Sequence, residues 1–152
     1  MKIDVDQIKE LRELTEAGIL DCRKALEEAC GDQKKALEIL REKGAEVAEK
    51  KKERITANGL IECYVHNNGK VASMVELLCE TDFVARNEDF RALAHELAMQ
   101  TAAMDPKNLE ELLNQEYIRD PSKKVRDLVN ELIGKVKENI KINRFQRFEI
   151  GA

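Results

Sequence analysis

Apolar residues in the first 43 positions recur at helical spacing and predict three short helices. The first helix, which we expect to end at Gly18, carries apolar residues at three-residue steps: Val5, Ile8, Leu11 and Leu14. The second, which we expect to end at Gly31, places these residues on one side: Cys22, Ala25, Leu26 and Ala29. The third begins after Asp32 as N-cap, is expected to stop at Gly44, and carries Ala36, Leu37 and Leu40. A bundle of this size has a thin core, so we expect it to lean on a neighbour.

The segment from Glu46 to Arg54 contains three consecutive lysines, Lys50 to Lys52. These lysines form either a basic patch for a partner or the solvated surface of a helix or linker. Interleaved glutamates offset much of the positive charge, which favours the second interpretation.

From Gly59 onwards the pattern is typical of strands. The segments from Leu60 to Val65 and from Val71 to Cys79 are rich in β-branched and apolar residues. Between them, Asn68-Gly69 can supply the positive φ angles of a tight turn. This part of the sequence predicts a β-hairpin.

The remaining residues predict helices followed by one strand. A long helix should begin near Asn87, with its apolar positions at Phe90, Leu93, Ala94, Leu97, Ala98 and Met104. Asp105-Pro106 and Asp120-Pro121 each place a capping residue before a proline suited to a first helical turn. A strongly amphipathic helix follows, with a stripe of Val125, Leu128, Val129, Leu132, Ile133, Val136 and Ile140. The segment from Ile142 to Ile150 alternates as a final strand.

These elements predict an α+β fold in which an N-terminal three-helix bundle precedes a small three-stranded antiparallel sheet packed with helices. We expect two units, a helical bundle and linker over 1–54 and an α+β core and dimerisation domain over 55–152. A sheet of three strands has two edges and an incompletely covered surface, and pairing with a second subunit would relieve both.

Composition narrows the class of function. Charged residues make up 37% of the chain and aromatics 4%, the formal net charge is −4, and there is no Trp. No overall basic field therefore attracts nucleic acid or an anionic membrane. The charged opening does not resemble a secretory signal, and no apolar run approaches the length of a membrane span. We therefore expect a cytoplasmic protein.

The chain shows no recognisable catalytic or metal-binding pattern. Its two histidines, His66 and His95, have no Ser or Cys at a spacing that predicts a nucleophile and base, and there is no phosphate-binding glycine loop. Four cysteines without a C-x-x-C pair indicate reduced, mostly buried thiols rather than a zinc site. We expect no enzyme activity, no metal and no cofactor.

One connection breaks the local rules. Thr81, Asp82, Phe83 and Val84 link the second strand to the long helix, and an aromatic residue followed by Val is unusual in a surface connection. Phe83 and Val84 either pack under the helix as a core plug or form an exposed wedge. The tendency of apolar side chains to be buried favours the core plug.

Three separated motifs resemble the elongation factor Ts family. The N-terminal motif consists of Lys9 to Thr15, Ala17 to Leu26 and Glu28 to Asp32. The second motif is Thr81 to Ala85, and the third is the terminal strand from Arg144 to Gly151. Four positions depart from the family pattern. Ile19-Leu20 stand where the family often has two methionines, Glu16 where it commonly has glycine, and Glu80 where it has a neutral amide.

The resemblance implies a guanine-nucleotide exchange factor for the GTPase elongation factor Tu, acting as a short, single-core homodimer. It implies that Arg12, Ile19 and Leu20 dock on the GTPase domain. Thr81, Asp82, Phe83 and Val84 would then disturb the partner's Mg²⁺ and phosphate site. The rival interpretation is a module that only tethers its target, since the N-terminal helices also resemble ubiquitin-associated-type bundles.

Overall fold

The computed structural model describes residues 3–152. Its N-terminal part consists of α1 (Val5–Thr15), α2 (Ile19–Glu28) and α3 (Gln33–Lys51). The carboxylates of Asp4 and Asp32 cap α1 and α3 by accepting hydrogen bonds from backbone N–H groups of the first turn. The three helices enclose one small buried cluster, Leu11, Cys22, Ala25, Leu26, Ala29 and Ala36.

The predicted stripe of α1 is right for Leu11 and Ile8, which pack in the bundle, and wrong for the other two residues. Leu11 is buried, but Val5 and Leu14 are exposed. Steps of three residues fall about 60° short of a full turn each time, so Val5 and Leu14 lie on opposite sides of the helix. The helix also ends at Thr15, before Gly18, because Glu16 adopts the left-handed conformation with φ 54°.

The rest of the chain contains, in order, β1 (Asn58–Val65), β2 (Val71–Cys79), α4 (Asp82–Ala85), α5 (Glu88–Met104), α6 (Leu109–Asn114), β3 (Glu116–Tyr117), β4 (Asp120–Lys124), α7 (Val125–Val136) and β5 (Ile140–Glu149). The strands β1, β2 and β5 form an antiparallel sheet in the order β1-β2-β5, and β3 pairs with β4. The α+β class, with N-terminal helices and a three-stranded sheet, is confirmed.

Strand alternation gives the sheet one covered and one open side. On β2, Ser73, Val75, Leu77 and Cys79 face the helices and are buried. The open side carries exposed apolar side chains from all three strands, among them Ile61, Val65, Met74 and Phe148. We call this the open sheet face.

The predicted hairpin is present, but its turn differs from the expectation. Gly69 has a positive φ of 68°, whereas Asn68 is not among the residues with positive φ. The N–H of Gly69 donates to the carbonyl of His66 at 2.7 Å. A five-residue loop with one glycine in the left-handed region therefore closes the hairpin.

The main core lies between the sheet and α5, α6 and α7. Its largest fully buried side chains include Phe90, Leu77, Leu97, Leu112, Val75 and Val125. Val47 and Ala48 of α3 pack against the same core. The third helix thus contacts both apolar clusters, and the division into 1–54 and 55–152 stays a prediction.

The expected end of α3 at Gly44 is wrong, because the helix continues to Lys51. At Gly44 the helix crosses α7 closely: a methyl group added there would lie 3.5 Å from the Asn130 carbonyl oxygen. A glycine inside a helix costs about 1 kcal/mol relative to alanine. The packing of Val47 and Ala48 beyond it offsets that cost. The lysine run forms the last turn of this helix and its cap.

Neither Asp-Pro pair begins a helix. Asp105 instead ends α5 in the left-handed conformation, and α6 starts later with Asn108 as its N-cap. Asp120 opens β4, where its carboxylate accepts hydrogen bonds from the backbone and hydroxyl of Ser122. The β3–β4 ribbon was not predicted from the sequence. Ile140, assigned to the amphipathic helix, belongs to β5.

All four thiols are free, and the expectation of mostly buried cysteines holds for two of them. Cys22 and Cys79 are buried, whereas Cys30 and Cys63 are exposed. Cys30 does not share a helix with Cys22, because α2 ends at Glu28. Within residues 3–152, none of the helices is long and apolar enough to cross a membrane.

Candidate functional site

The segment Thr81–Val84, which we call the wedge, forms the beginning of the one-turn helix α4 directly after the central strand β2. Thr81 is its N-cap and accepts a hydrogen bond from the N–H of Val84 at 3.4 Å. The wedge therefore has a defined backbone conformation, although it belongs to a connection.

The two apolar residues of the wedge point in different directions. Phe83 is 88% exposed, whereas Val84 packs against the main core and Ala85 is buried. The core-plug interpretation is wrong for Phe83 and right for Val84. Burial of this exposed ring by another molecule would contribute favourable free energy to that complex.

A single carboxylate holds the base of the wedge. The side chain of Glu138, just before β5, accepts hydrogen bonds from the N–H of Glu80 at 3.2 Å, the N–H of Thr81 at 3.0 Å and the hydroxyl of Thr81 at 2.7 Å. Charged acceptors form the stronger protein hydrogen bonds. Glu138 therefore fixes the point from which Phe83 projects.

Glu80 contributes to the same anchor. Its carboxylate accepts a hydrogen bond from the N–H of Asn139 at 2.7 Å and lies 3.6 Å from the Arg54 guanidinium. The buried amide of Asn139 in turn donates to the carbonyls of Lys52 and Arg54. The charge that Glu80 places beside the wedge is thus partnered within the chain.

Asp82 is accessible to solvent and loosely held. Its carboxylate lies 2.7 Å from the guanidinium of Arg86, one turn later on the surface. Exposed pairs of this kind contribute about 0–1 kcal/mol, so Asp82 can leave Arg86 at little cost.

Cys79 closes the core beneath the wedge. Burial, followed by the nearby Glu138 carboxylate, raises the pKa of its thiol from 9.0 to about 11. The thiol donates to the carbonyl of Thr81 at 3.2 Å. This cysteine remains a neutral structural donor under ordinary conditions.

A second exposed surface, which we call the tip, lies at the junction of α1 and α2. Ile19 and Leu20 form the first turn of α2 and are 55% and 70% exposed. Arg12 lies on the exposed side of α1 and lines the same cleft as Gly18 and Asp21. Among residues 3–152, no ion pair or side-chain hydrogen bond occupies the Arg12 guanidinium. The structure thus brings these three predicted residues to one end of the helical bundle.

The tip and the wedge lie on separate elements, and nothing within the described residues joins their predicted contact residues directly. The anchoring residues Glu138 and Asn139 were missed from the sequence. They lie more than 50 positions from the wedge, and no local pattern links an acidic residue before a strand to a distant connection. The described part of the chain also contains no group of three or more His, Cys, Asp or Glu placed to hold a metal ion.

The sequence of this chain is similar to proteins of one known family. The family model described as "Elongation factor TS" matches residues 80–152, which include the wedge, its anchor and β5. The elongation factor Ts of Thermotoga petrophila is 46% identical, with 99% of this chain and 98% of the relative covered. That of Herpetosiphon aurantiacus is 43% identical over the full length of both, and that of Oleidesulfovibrio alaskensis is 42% identical over 99% and 98%.

The alignment with the Thermotoga petrophila relative extends over 194 positions, and this chain has 152 residues. At least 42 of those positions therefore hold a residue in the relative and a gap in this chain. The shorter chain nevertheless matches almost the whole length of each relative. On this evidence the chain belongs to the elongation factor Ts family.

Proposed function

We propose that this protein is a guanine-nucleotide exchange factor for the translational GTPase elongation factor Tu. Family membership supports the proposal, and one observation carries it. Phe83 projects almost fully exposed from a helical turn whose base is fixed by three hydrogen bonds to Glu138. A rigidly mounted, unburied aromatic side chain suits a group that presses into another protein.

In this mechanism the tip docks first on the GTPase domain through Ile19, Leu20 and Arg12. Asp82 and Phe83 then press into that domain near its nucleotide site and loosen the contacts that hold Mg²⁺ and the phosphates. GDP leaves, and GTP subsequently displaces the factor. The Mg²⁺ belongs to the partner, so the factor needs no metal or cofactor and is not itself an enzyme.

The energetics require both surfaces. Each tenfold acceleration of release needs about 1.4 kcal/mol of differential stabilisation. Burying one Phe supplies about 1.5–3 kcal/mol, so Phe83 alone accounts for one to two decades. The exposed apolar area of the tip provides the remainder. By thermodynamic linkage, GDP must weaken the binding of the factor to the GTPase by the same ratio as the factor weakens the binding of GDP to it.

The decisive experiment measures release of a fluorescent GDP analogue from purified elongation factor Tu, with and without this protein at low micromolar concentration. We expect strong, catalytic acceleration and tighter binding to the nucleotide-free GTPase than to its GDP form. Equal affinity for the two forms would instead support a tethering module, because a ligand that binds both states equally shifts nothing.

We also propose that the factor is a homodimer that pairs through the open sheet face. Exposed apolar side chains cover this face, among them Met74 on the central strand and Phe148 beside it. Glu76 and Arg144 form an ion pair on this face at 2.8 Å. Two identical faces can stack through their exposed apolar side chains about a two-fold axis.

We propose no direct contact with nucleic acid or a membrane, and a cytoplasmic location. The net charge of −4 supports the first point, because phosphate-rich partners select basic surfaces. Titration with nucleic acid or anionic lipid vesicles at low salt should show no binding, and salt-sensitive binding would contradict this proposal.

A further inference from the structure

Lys135, near the end of α7, bridges two carboxylates from different parts of the fold. Its ammonium lies 2.9 Å from the carboxylate of Glu16, which follows α1, and 2.7 Å from that of Asp89, in the first turn of α5. Hydrogen bonds to Asp89, then to Glu16, raise the pKa of Lys135. The lysine therefore stays charged, and we call the three residues the clasp.

The clasp holds the α1–α2 end of the bundle against the core. Within residues 3–152, the contact between Lys135 and Glu16 is the one side-chain hydrogen bond or ion pair that joins residues 3–32 to residues 54–152. Clefts of about 420, 430 and 370 Å³ surround the contact, and Glu16 and Lys135 line all three. Glu16 and Lys135 therefore meet at a junction that is open to solvent.

The bundle is otherwise carried by α3, which crosses α7 at two glycines. A methyl group added to Gly134 would lie 3.8 Å from the Cα of Gly44. No side chains interlock at these two positions. Val47 and Ala48 of the same helix pack against the main core, so α3 sets the approach of the bundle and the clasp holds its far end.

The backbone of Glu16 points to the same role. Its φ of 54° lies in the left-handed region, which a residue with a Cβ occupies at an energetic cost. A glycine would adopt this conformation freely. The N–H of Glu16 donates to the Arg12 carbonyl at 2.7 Å as the helix ends, and its carboxylate contacts Lys135.

We propose that Lys135 is a positioning residue for nucleotide exchange, which fixes the spacing between the tip and the wedge. Glu16 lies three residues before Ile19 of the tip, and Asp89 lies at the start of the helix that follows the wedge. The lysine connects both to α7, so the two surfaces meet the partner as one preformed unit. This inference rests on the proposed exchange function and deepens it.

The test compares Lys135→Ala, Lys135→Arg and Glu16→Gly with a matched control. Glu16→Gly removes the carboxylate and relieves the backbone cost, so a stability loss cannot explain its effect. Lys123→Ala is the control, because it removes an ion pair to Glu131 at 3.1 Å whose two residues both belong to residues 54–152. Nucleotide release from elongation factor Tu is measured against factor concentration, which separates the half-saturating concentration from the maximal rate.

Glu16→Gly, which removes one exposed ion pair, should raise the half-saturating concentration up to about fivefold, and Lys135→Ala, which removes two, up to about thirtyfold. The maximal rate should change by less than about twofold, because the tip and the wedge make the same contacts with the GTPase once the complex has formed. Lys135→Arg and Lys123→Ala should both keep the half-saturating concentration of the parent protein. Unchanged exchange in both Lys135→Ala and Glu16→Gly would overturn the proposal.

A second readout follows the geometry directly. Spin labels on Cys30 in the bundle and on an introduced cysteine at the exposed Arg91 of α5, in a Cys63→Ser background, report the distance between the bundle and the core. Dilution with unlabelled protein removes distances between subunits. The distribution should broaden in Lys135→Ala, and an unchanged distribution would overturn the positioning role. If the parent protein itself fails to accelerate release, the proposed function fails instead, and the distance measurement still reports whether the clasp orients the bundle.

Discussion

Replacing Phe83 by alanine separates a contact residue from a structural one. The ring is 88% exposed, so about one eighth of its burial energy is realised in the free protein. Full burial of a Phe contributes about 1.5–3 kcal/mol, and Phe83→Ala should therefore cost no more than about 0.4 kcal/mol of folding free energy. The thermal midpoint should move by less than about 2 °C.

The effect on exchange should be much larger. If the ring becomes buried in the partner as GDP leaves, its loss removes the full 1.5–3 kcal/mol, or about a 10- to 150-fold reduction in the second-order rate of release. The measurement is release of a fluorescent GDP analogue from elongation factor Tu at concentrations of factor well below saturation.

Ile55→Ala provides the matched control. Ile55 is 84% exposed and lies between α3 and β1, so its truncation removes a similar exposed apolar group away from the wedge. It should leave exchange unchanged. A Phe83→Ala variant that exchanges at the parent rate, or one that unfolds, would refute the argument that this ring is mounted for a partner.

Three further outcomes follow from the structure. Met74→Glu should convert the proposed dimer to a folded monomer in light-scattering measurements, because it places a charge at the centre of the open sheet face; a variant that still dimerises would exclude that face. Glu138→Ala should lower stability by about 2–3 kcal/mol and reduce exchange together, since it removes three hydrogen bonds to a carboxylate; a stable variant with full activity would show that the anchor is dispensable. The pKa of the Cys79 thiol is about 11 in the folded protein and 9.0 in the unfolded chain. As the pH rises, the unfolded chain therefore loses this proton first, and the free energy of unfolding should fall between about pH 9 and pH 11. Urea unfolding under reducing conditions should show a smaller fall in Cys79→Ala, and equal pH dependence in the two proteins would contradict the assignment.

The hairpin, α5 and most of α7 could be predicted because their apolar positions follow the period of the element. Phe90, Leu93, Ala94 and Leu97 are all buried as expected. The errors occur where one residue type serves two purposes. Gly44 resembled a helix end but provides a close helix crossing, and Asp105 resembled a first-turn cap but ends the preceding helix.

The candidate site was only partly accessible to sequence reasoning. Local physics favoured a buried Phe83, and the resemblance to the family pointed instead to a wedge; the ring is indeed exposed. The residues that hold the site in place could not be predicted from the sequence. Glu138 and Lys135 act on residues 57 and 119 positions away, where no periodicity connects them.

The strand order imposes a sequence of events on a chain that folds during its own synthesis. The N-terminal cluster needs only residues up to Ala36, whereas Val75 at the centre of the sheet pairs with Phe145. At about 5–20 residues per second, β2 waits roughly 4–14 s for β5 to be made. During that interval one edge of β2 is unpaired, and Glu138 has not yet arrived to hold the wedge. The surface proposed to act on the GTPase is therefore among the last parts of the molecule to acquire its shape.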